Sequence, residues 1–265
     1  MSGQVIALPL ADVPFPPGVE DFYLPSLIPW GAHDSYWFTK ITALVWVTTA
    51  ILILFFVLSY RNPKMVPRKA QWLAESTYGF VRNNIVVDML GHTGVRFAPY
   101  LTTLFCFILL NNLWGIVPGV QLSPNSHIAF PTFLALISYV LFNWIGIKKF
   151  GFVRYFKNAL VPPAPLFILP ILIPIEFVST FLFRPFTLAL RLFANMFAGH
   201  LILLVFTLGG FAMLNANLWL APVSVLSWLM TIALTFLEAL IVVLQAYVFV
   251  VLTTSYMQGA LAEEH

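Results

Sequence analysis

The chain has 265 residues, of which 60% are hydrophobic and 9% charged, with 13 Lys and Arg against 10 Asp and Glu. So few polar groups cannot coat a soluble globule of this length, which excludes an ordinary water-soluble domain. The apolar residues come in runs near the ~20 residues that cross a bilayer as a helix, not in the ~10-residue alternation of a membrane barrel. An all-α polytopic membrane protein is expected, forming a single membrane domain over residues 1–265.

Short inner loops collect Lys and Arg, and this orders the chain. Segment 1–38 holds Asp12, Glu20, Asp21 and Asp34 with no Lys or Arg, so the N-terminus is expected outside. Met1 to Leu10 lacks the basic stretch and apolar core of a signal peptide, and no cleaved leader is expected. Residues 41–59 read as the first transmembrane helix, followed at once by the inner cluster Arg61, Lys64, Arg68 and Lys69. Residues 70–90 mix apolar and polar positions and are expected as a helix on the cytoplasmic surface. Residues 97–147 read as a transmembrane hairpin with a Pro- and Asn-rich outer turn at 118–127, returning to Lys148, Lys149, Arg154 and Lys157. Its one cysteine, Cys106, sits in a run of apolar residues and reads as a small buried hydrophobe. In the connector 158–175, Pro162, Pro163, Pro165, Pro170 and Pro174 argue against a regular helix, so a broken, protein-covered segment is expected. The C-terminus then falls on the cytoplasmic side.

Beyond Ile175 the charged residues are Glu176, Arg184, Arg191, Glu238 and the terminal Glu263 and Glu264, and His200 adds a titratable group. Ionisable groups inside a membrane are costly and usually face a protein interior or a water cavity. Arg191 lies in Leu188–Phe193, too deep in apolar sequence to be explained easily as an end residue reaching for the headgroups. Arg184, beside Pro185, suits that plainer role. Taken singly, His200 reads as a hydrogen-bonded core histidine and Glu238 as a neutral carboxyl packed between helices. Spacing changes this, because residues that face each other in an antiparallel helical hairpin share one midpoint. Arg191 with Gln245 and His200 with Glu238 both put the turn near residue 218, inside the polar patch Leu214–Leu218. The hairpin 176–257 then has arms of about 30 to 38 residues, or ~45 to 57 Å, which must tilt strongly to fit a ~30 Å hydrocarbon core. Glu238 and Gln245 share a helix face, whereas Arg191 and His200 fall on nearly opposite faces.

These residues carry a resemblance. The run Arg191-Leu192-Phe193-Ala194-Asn195-Met196-Phe197-Ala198-Gly199-His200 resembles the signature helix of subunit a of F-type ATP synthases. Glu238 to Phe249 is similar to that family's last helix, and Asn111-Asn112-Leu113-Trp114-Gly115-Ile116-Val117-Pro118 to its Asn-Leu-x-Gly-x-x-Pro segment. The three motifs occur in the family's order, covering about Leu101 to Met257. The resemblance implies that Arg191 is the essential stator arginine, Gln245 its neighbour on the last helix, and His200 with Glu238 the polar pair of the access half-channel. Some relatives carry that pair with acid and base exchanged. Asn195, Asn111 and Asn112 match polar positions near the route, and Glu176 an acidic residue of the opposite half-channel, here one residue further from the arginine than in many relatives.

The implied partners are a ring of c subunits, b-type peripheral stalk subunits and membrane lipid, with protons as the transported ion. No cofactor, metal or nucleic acid is implied, and the absence of a P-loop glycine motif argues against ATP chemistry in this chain. A bacterial plasma membrane is expected, with an organelle inner membrane as the alternative. An independent ion channel or secondary transporter is the competing reading, which inverted repeats would favour, and none is seen. A structural membrane subunit, with its buried charges acting only between helices, is a third. Whether the ion is H⁺ or Na⁺ depends on ligands in the ring.

Overall fold

Thr39, in extended conformation, turns its hydroxyl onto the backbone N–H of Thr42 at 3.4 Å and so starts α1 (Lys40–Tyr60) by meeting one of the donors a helix start leaves open. The computed structural model describes residues 39–61, 63–117, 120–160, 169–216 and 218–261. The expectations for segment 1–38, Pro118, Pro162, Pro163, Pro165, Asn217, Glu263 and Glu264 lie outside the described residues. Of its 21 residues, α1 buries only Ile41, Thr48, Leu52 and Ser59. Many of its other apolar side chains, such as Trp46 and Leu54, are exposed, a surface suited to lipid or other subunits and not to water.

α2 (Lys69–Val81), a π turn (Arg82–Val87) and α3 (Asp88–Leu90) form one nearly continuous helical segment. Gln71 holds the preceding turn, since its side chain accepts from the Lys64 N–H and donates to the Lys64 carbonyl, both at 3.2 Å. Ala74, Val81, Ile85 and Val86 are fully buried, and the segment packs on α1, α4 (Ala98–Leu113) and α9 (Ala221–Leu261). One face of the expected surface helix is therefore part of the core. Gly91, at φ 67°, ends it in the left-handed region that a residue without Cβ occupies freely.

α4 runs antiparallel to α5 (Ala129–Phe150), and the Tyr100 hydroxyl and Ser138 Oγ join them at 3.1 Å. The indole N–H of Trp114, just past α4, donates to Thr48 Oγ1 of α1 at 2.8 Å. Cys106 is buried within α4. After Gly151 the short α6 (Phe152–Leu160) folds back on α5, where Tyr155 donates to Asn143 Oδ1 at 2.9 Å and lays its ring over Gly146.

The described end of the Pro-rich connector, residues 169–175, is helical. α6 continues to Leu160, and the chain is helical again from Leu169 in α7 (Leu169–Phe177), which takes in both Pro170 and Pro174. Pro170 sits in the first turn, where its missing N–H has no helical partner to lose. Pro174 does remove one internal bond, and a π turn (Val178–Phe183) follows before α8 (Arg184–Ala216). This part is only partly covered by the rest of the chain, since Leu169, Leu172 and Ile173 are half-buried and no residue of α7 is fully buried. A helix satisfies nearly all its own backbone groups, so it can face lipid or another subunit without the cover that an irregular strand of chain would need.

A 3-10 turn, Leu218–Leu220, joins α8 to α9, and the two pack along one another as an antiparallel hairpin. Their 33 and 41 residues correspond to roughly 50 and 62 Å, well above a ~30 Å hydrocarbon core. α5, α8 and α9 pack on one another, with α4 against α9. At one end of this group Lys149 Nζ donates to the Leu261 carbonyl at 2.9 Å, and the Arg184 guanidinium lies 5.5 Å from the centre of the Tyr256 ring. At the other end Lys40 Nζ meets the Val120 carbonyl at 3.4 Å. Among the described residues, five helical segments are long and apolar enough to cross a membrane, which makes this an all-α, multi-pass membrane protein.

Candidate functional site

The hairpin register decides which polar groups of α8 and α9 meet. His200 Nδ1 lies 3.1 Å from Glu238 Oε1, and the two residues are 5% and 3% exposed. The approach is an ion-pair distance, yet the imidazole N–H is not aimed along it, so the pair is close without a straight hydrogen bond. A buried acid beside a buried base can pass a proton between them, which neither could do alone. Gly199 leaves room for this contact, because a Cβ there would lie 3.2 Å from Glu238 Oε1. Gly115, just beyond α4, does the same on the other side of the histidine, where a Cβ would overlap the imidazole.

Two turns along α9, Gln245 is also buried, on the face it shares with Glu238. Its Oε1 accepts from Asn195 Nδ2 at 2.7 Å, so the described partner of Gln245 is Asn195 and not Arg191, one turn away on α8. Arg191 is exposed, as are Ala194 and Ala198, while His200, nine positions on, is buried. A rotation of 100° per residue puts those two on opposite sides of the helix. The result is one helix that presents a cation outward and a titratable pair inward.

Asn111 and Asn112 end α4 and are both buried. The turn Pro124–Ser126 comes back against them: Asn125 Nδ2 donates to Asn112 Oδ1 at 2.7 Å, and Ser123 Oγ donates to the Asn111 carbonyl at 3.1 Å. Glu176 stands on α7, partly exposed, accepting from Thr180 Oγ1 at 3.2 Å, and no described contact joins it to the His200 pair. The structure thus brings together His200 with Glu238, Asn195 with Gln245, and Asn112 with Asn125, and sets Arg191 and Glu176 apart from them.

The family model described as ATP synthase A chain matches residues 42–258. The chain belongs to that family. It is 46% identical over 263 residues to ATP synthase subunit a of Nocardioides sp., covering 94% of each chain. It is 43% identical over 252 residues to ATP synthase subunit a of Streptomyces lividans, covering 94% of this chain and 88% of the relative. With bacterial relatives of this kind and its apolar helices, the chain is a multi-pass protein of a bacterial plasma membrane.

Reasoning from the family motifs singled out Asn111 and Asn112 but not Asn125 or Ser123, which the fold buries beside them. The available signal was the polar run Ser123-Pro124-Asn125-Ser126, which reads as an ordinary surface turn until its burial is known. Gly115 was legible as a motif letter, but its contact with His200 was not.

Proposed function

We propose that this chain is the stator subunit of an ATP synthase membrane sector, carrying protons past a rotating ring of c subunits through two half-channels separated by Arg191. The observation that carries the reading is the division of α8: an exposed Arg191 on one face and the buried His200–Glu238 pair on the other. A guanidinium does not lose its proton at any relevant pH, so Arg191 is a fixed positive charge and cannot itself relay protons. A carboxyl carried past it by the ring is stabilised in its ionised form and gives its proton to the exit path. The same charge repels a proton moving straight from one half-channel to the other.

His200 and Glu238 load the next carboxyl from the access side, with Asn111, Asn112, Asn195 and Gln245 arranging the route. Glu176 is assigned to the opposite half-channel. The driving term is about 2.3 kcal/mol per charge for each 100 mV of membrane potential, so several protons per turn supply the work of ATP formation elsewhere in the complex. This chain is non-catalytic in that scheme. Its N-terminus lies outside and its basic clusters inside, and b-type stalk subunits and lipid cover the exposed apolar faces that the c ring leaves free.

The test is ATP-driven acidification of membrane vesicles carrying Arg191→Ala, with assembly of the complex checked on the same sample. Lost acidification in an assembled complex supports the gate. Retained acidification overturns it and returns the buried charges to a structural role.

A further inference from the structure

Between Asp88 and Glu176 the chain carries no acidic residue, yet residues 148–157 hold Lys148, Lys149, Arg154 and Lys157. The first two stand in the last turn of α5, where a helix long enough to cross a membrane ends. Gly151, at φ 81°, then reverses the chain into α6. The Tyr155 hydroxyl reaches back to Asn143 Oδ1 at 2.9 Å, and its ring fills the place that a side chain on Gly146 would take. Asn143 and Gly146 lie one to two turns before the end of α5, so Arg154 and Lys157 are held level with that end and not out in water.

Bare apolar groups stand among these cations. Trp144 is 64% exposed, Phe152 65% and Val153 78%, and Lys148, Arg154 and Lys157 are exposed beside them. Water does not suit the first three, and the middle of a bilayer does not suit the others. Both kinds are satisfied at the boundary, where aromatic rings sit among lipid headgroups and Lys and Arg reach the charged layer. Of the elements on which α6 packs, α5 has no acid, and the acid of α7, Glu176, accepts from Thr180. Lys149 donates to the Leu261 carbonyl, which leaves Lys148, Arg154 and Lys157 to face an anion from outside.

We propose that α6 and the end of α5 form a binding site for an anionic phospholipid, its phosphate held by Lys148, Arg154 and Lys157 and its acyl chains laid against Trp144, Phe152 and Val153. Phosphate oxygens accept charge-assisted hydrogen bonds from guanidinium and ammonium groups. An acidic protein segment would meet the charge alone, whereas a phospholipid meets the charge and the exposed rings together. Phe156 stacks on Phe181 with ring centres 5.3 Å apart, so a lipid on α6 also steadies the π turn that leads into α8. The site stands apart from Arg191 and the His200–Glu238 pair and does not depend on their roles.

The test uses the whole complex in phosphatidylcholine vesicles that contain a minor share of photoactivatable phosphatidylglycerol or, in a parallel sample, of the same probe with a choline headgroup. After illumination, label on segment 144–160 is read by mass spectrometry. The glycerol probe is expected to label it about ten-fold or more above the choline probe at low salt, and the preference is expected to shrink at high salt. Lys148→Gln, Arg154→Gln and Lys157→Gln combined should bring the glycerol probe down to the choline level in an assembled complex, while Arg154→Lys should stay near wild type. Arg154→Gln alone is expected to lower the preference about five-fold, the effect of one Lys or Arg near an anionic surface, and it decides the matter if the triple variant does not assemble.

Equal labelling of the wild type by the two probes, or a glycerol preference that survives the substitutions, overturns the proposal. So does a carbodiimide cross-link from Lys148 or Lys157 to a carboxylate in place of lipid labelling, which assigns the patch to an acidic protein segment.

Discussion

Nδ1 of His200 on α8 and Oε1 of Glu238 on α9 stand 3.1 Å apart, enclosed by Gly199 on one side and Gly115 on the other. Two helices and the end of a third are thus shaped around one acid–base contact. If the contact serves proton transfer, as proposed, it needs one member of each type between the helices, whichever helix supplies which.

From this follows a prediction about exchange. His200→Ala and Glu238→Ala each leave one titratable group buried alone, and each is expected to reduce ATP-driven acidification about 10²-fold, the scale of a lost proton-transfer group. The double exchange His200→Glu with Glu238→His is expected to recover at least ten-fold over either alanine variant, on the same scale. Acidification rates normalised to assembled complex check this, and an exchange variant no better than the alanines would show that position and not pairing governs transfer.

The two arginines of α8 should separate cleanly. Arg184, at the helix start, lies over the Tyr256 ring and joins α8 to α9. Such a contact contributes about 0.5–1 kcal/mol when exposed and ~2 kcal/mol when desolvated. Arg184→Gln is therefore expected to lower the dissociation temperature of the complex by a few degrees while acidification per assembled complex stays near wild type. Arg191→Ala should do the reverse. A pumping loss in Arg184→Gln equal to that of Arg191→Ala would place Arg184 in the path.

Asn195 and Gln245 share a 2.7 Å hydrogen bond between the same two helices. Polar pairs between membrane helices couple by ~0.6 kcal/mol on average and up to ~1.7 kcal/mol. A double-mutant cycle of Asn195→Leu and Gln245→Leu, read as stability in detergent, is expected to show a coupling in that range. Zero coupling would mean that the bond does not hold the hairpin.

Much of the hairpin was legible in the sequence because its geometry is local. The spacing of Arg191, His200, Glu238 and Gln245 along helices of fixed rotation places the turn near residue 218, and the structure turns at Leu218–Leu220. It equally puts Arg191 and His200 on opposite sides of their helix and Glu238 and Gln245 on one buried face. Of the connector, the described stretch 169–175 is helical where its prolines argued against a regular helix. Pro170 falls where a helix has no bond to lose, and Pro174 costs only one.

The sequence by itself determined the all-helical membrane class, the number of long apolar helices and the pairing of His200 with Glu238. These depend on composition and on a repeat that any helix imposes. Only the tertiary structure decided that Gln245 bonds Asn195, that Gly115 abuts His200, and that Asn125 is buried against Asn112. Those contacts join distant segments through the path of a loop, and no periodicity along the chain encodes where a loop packs.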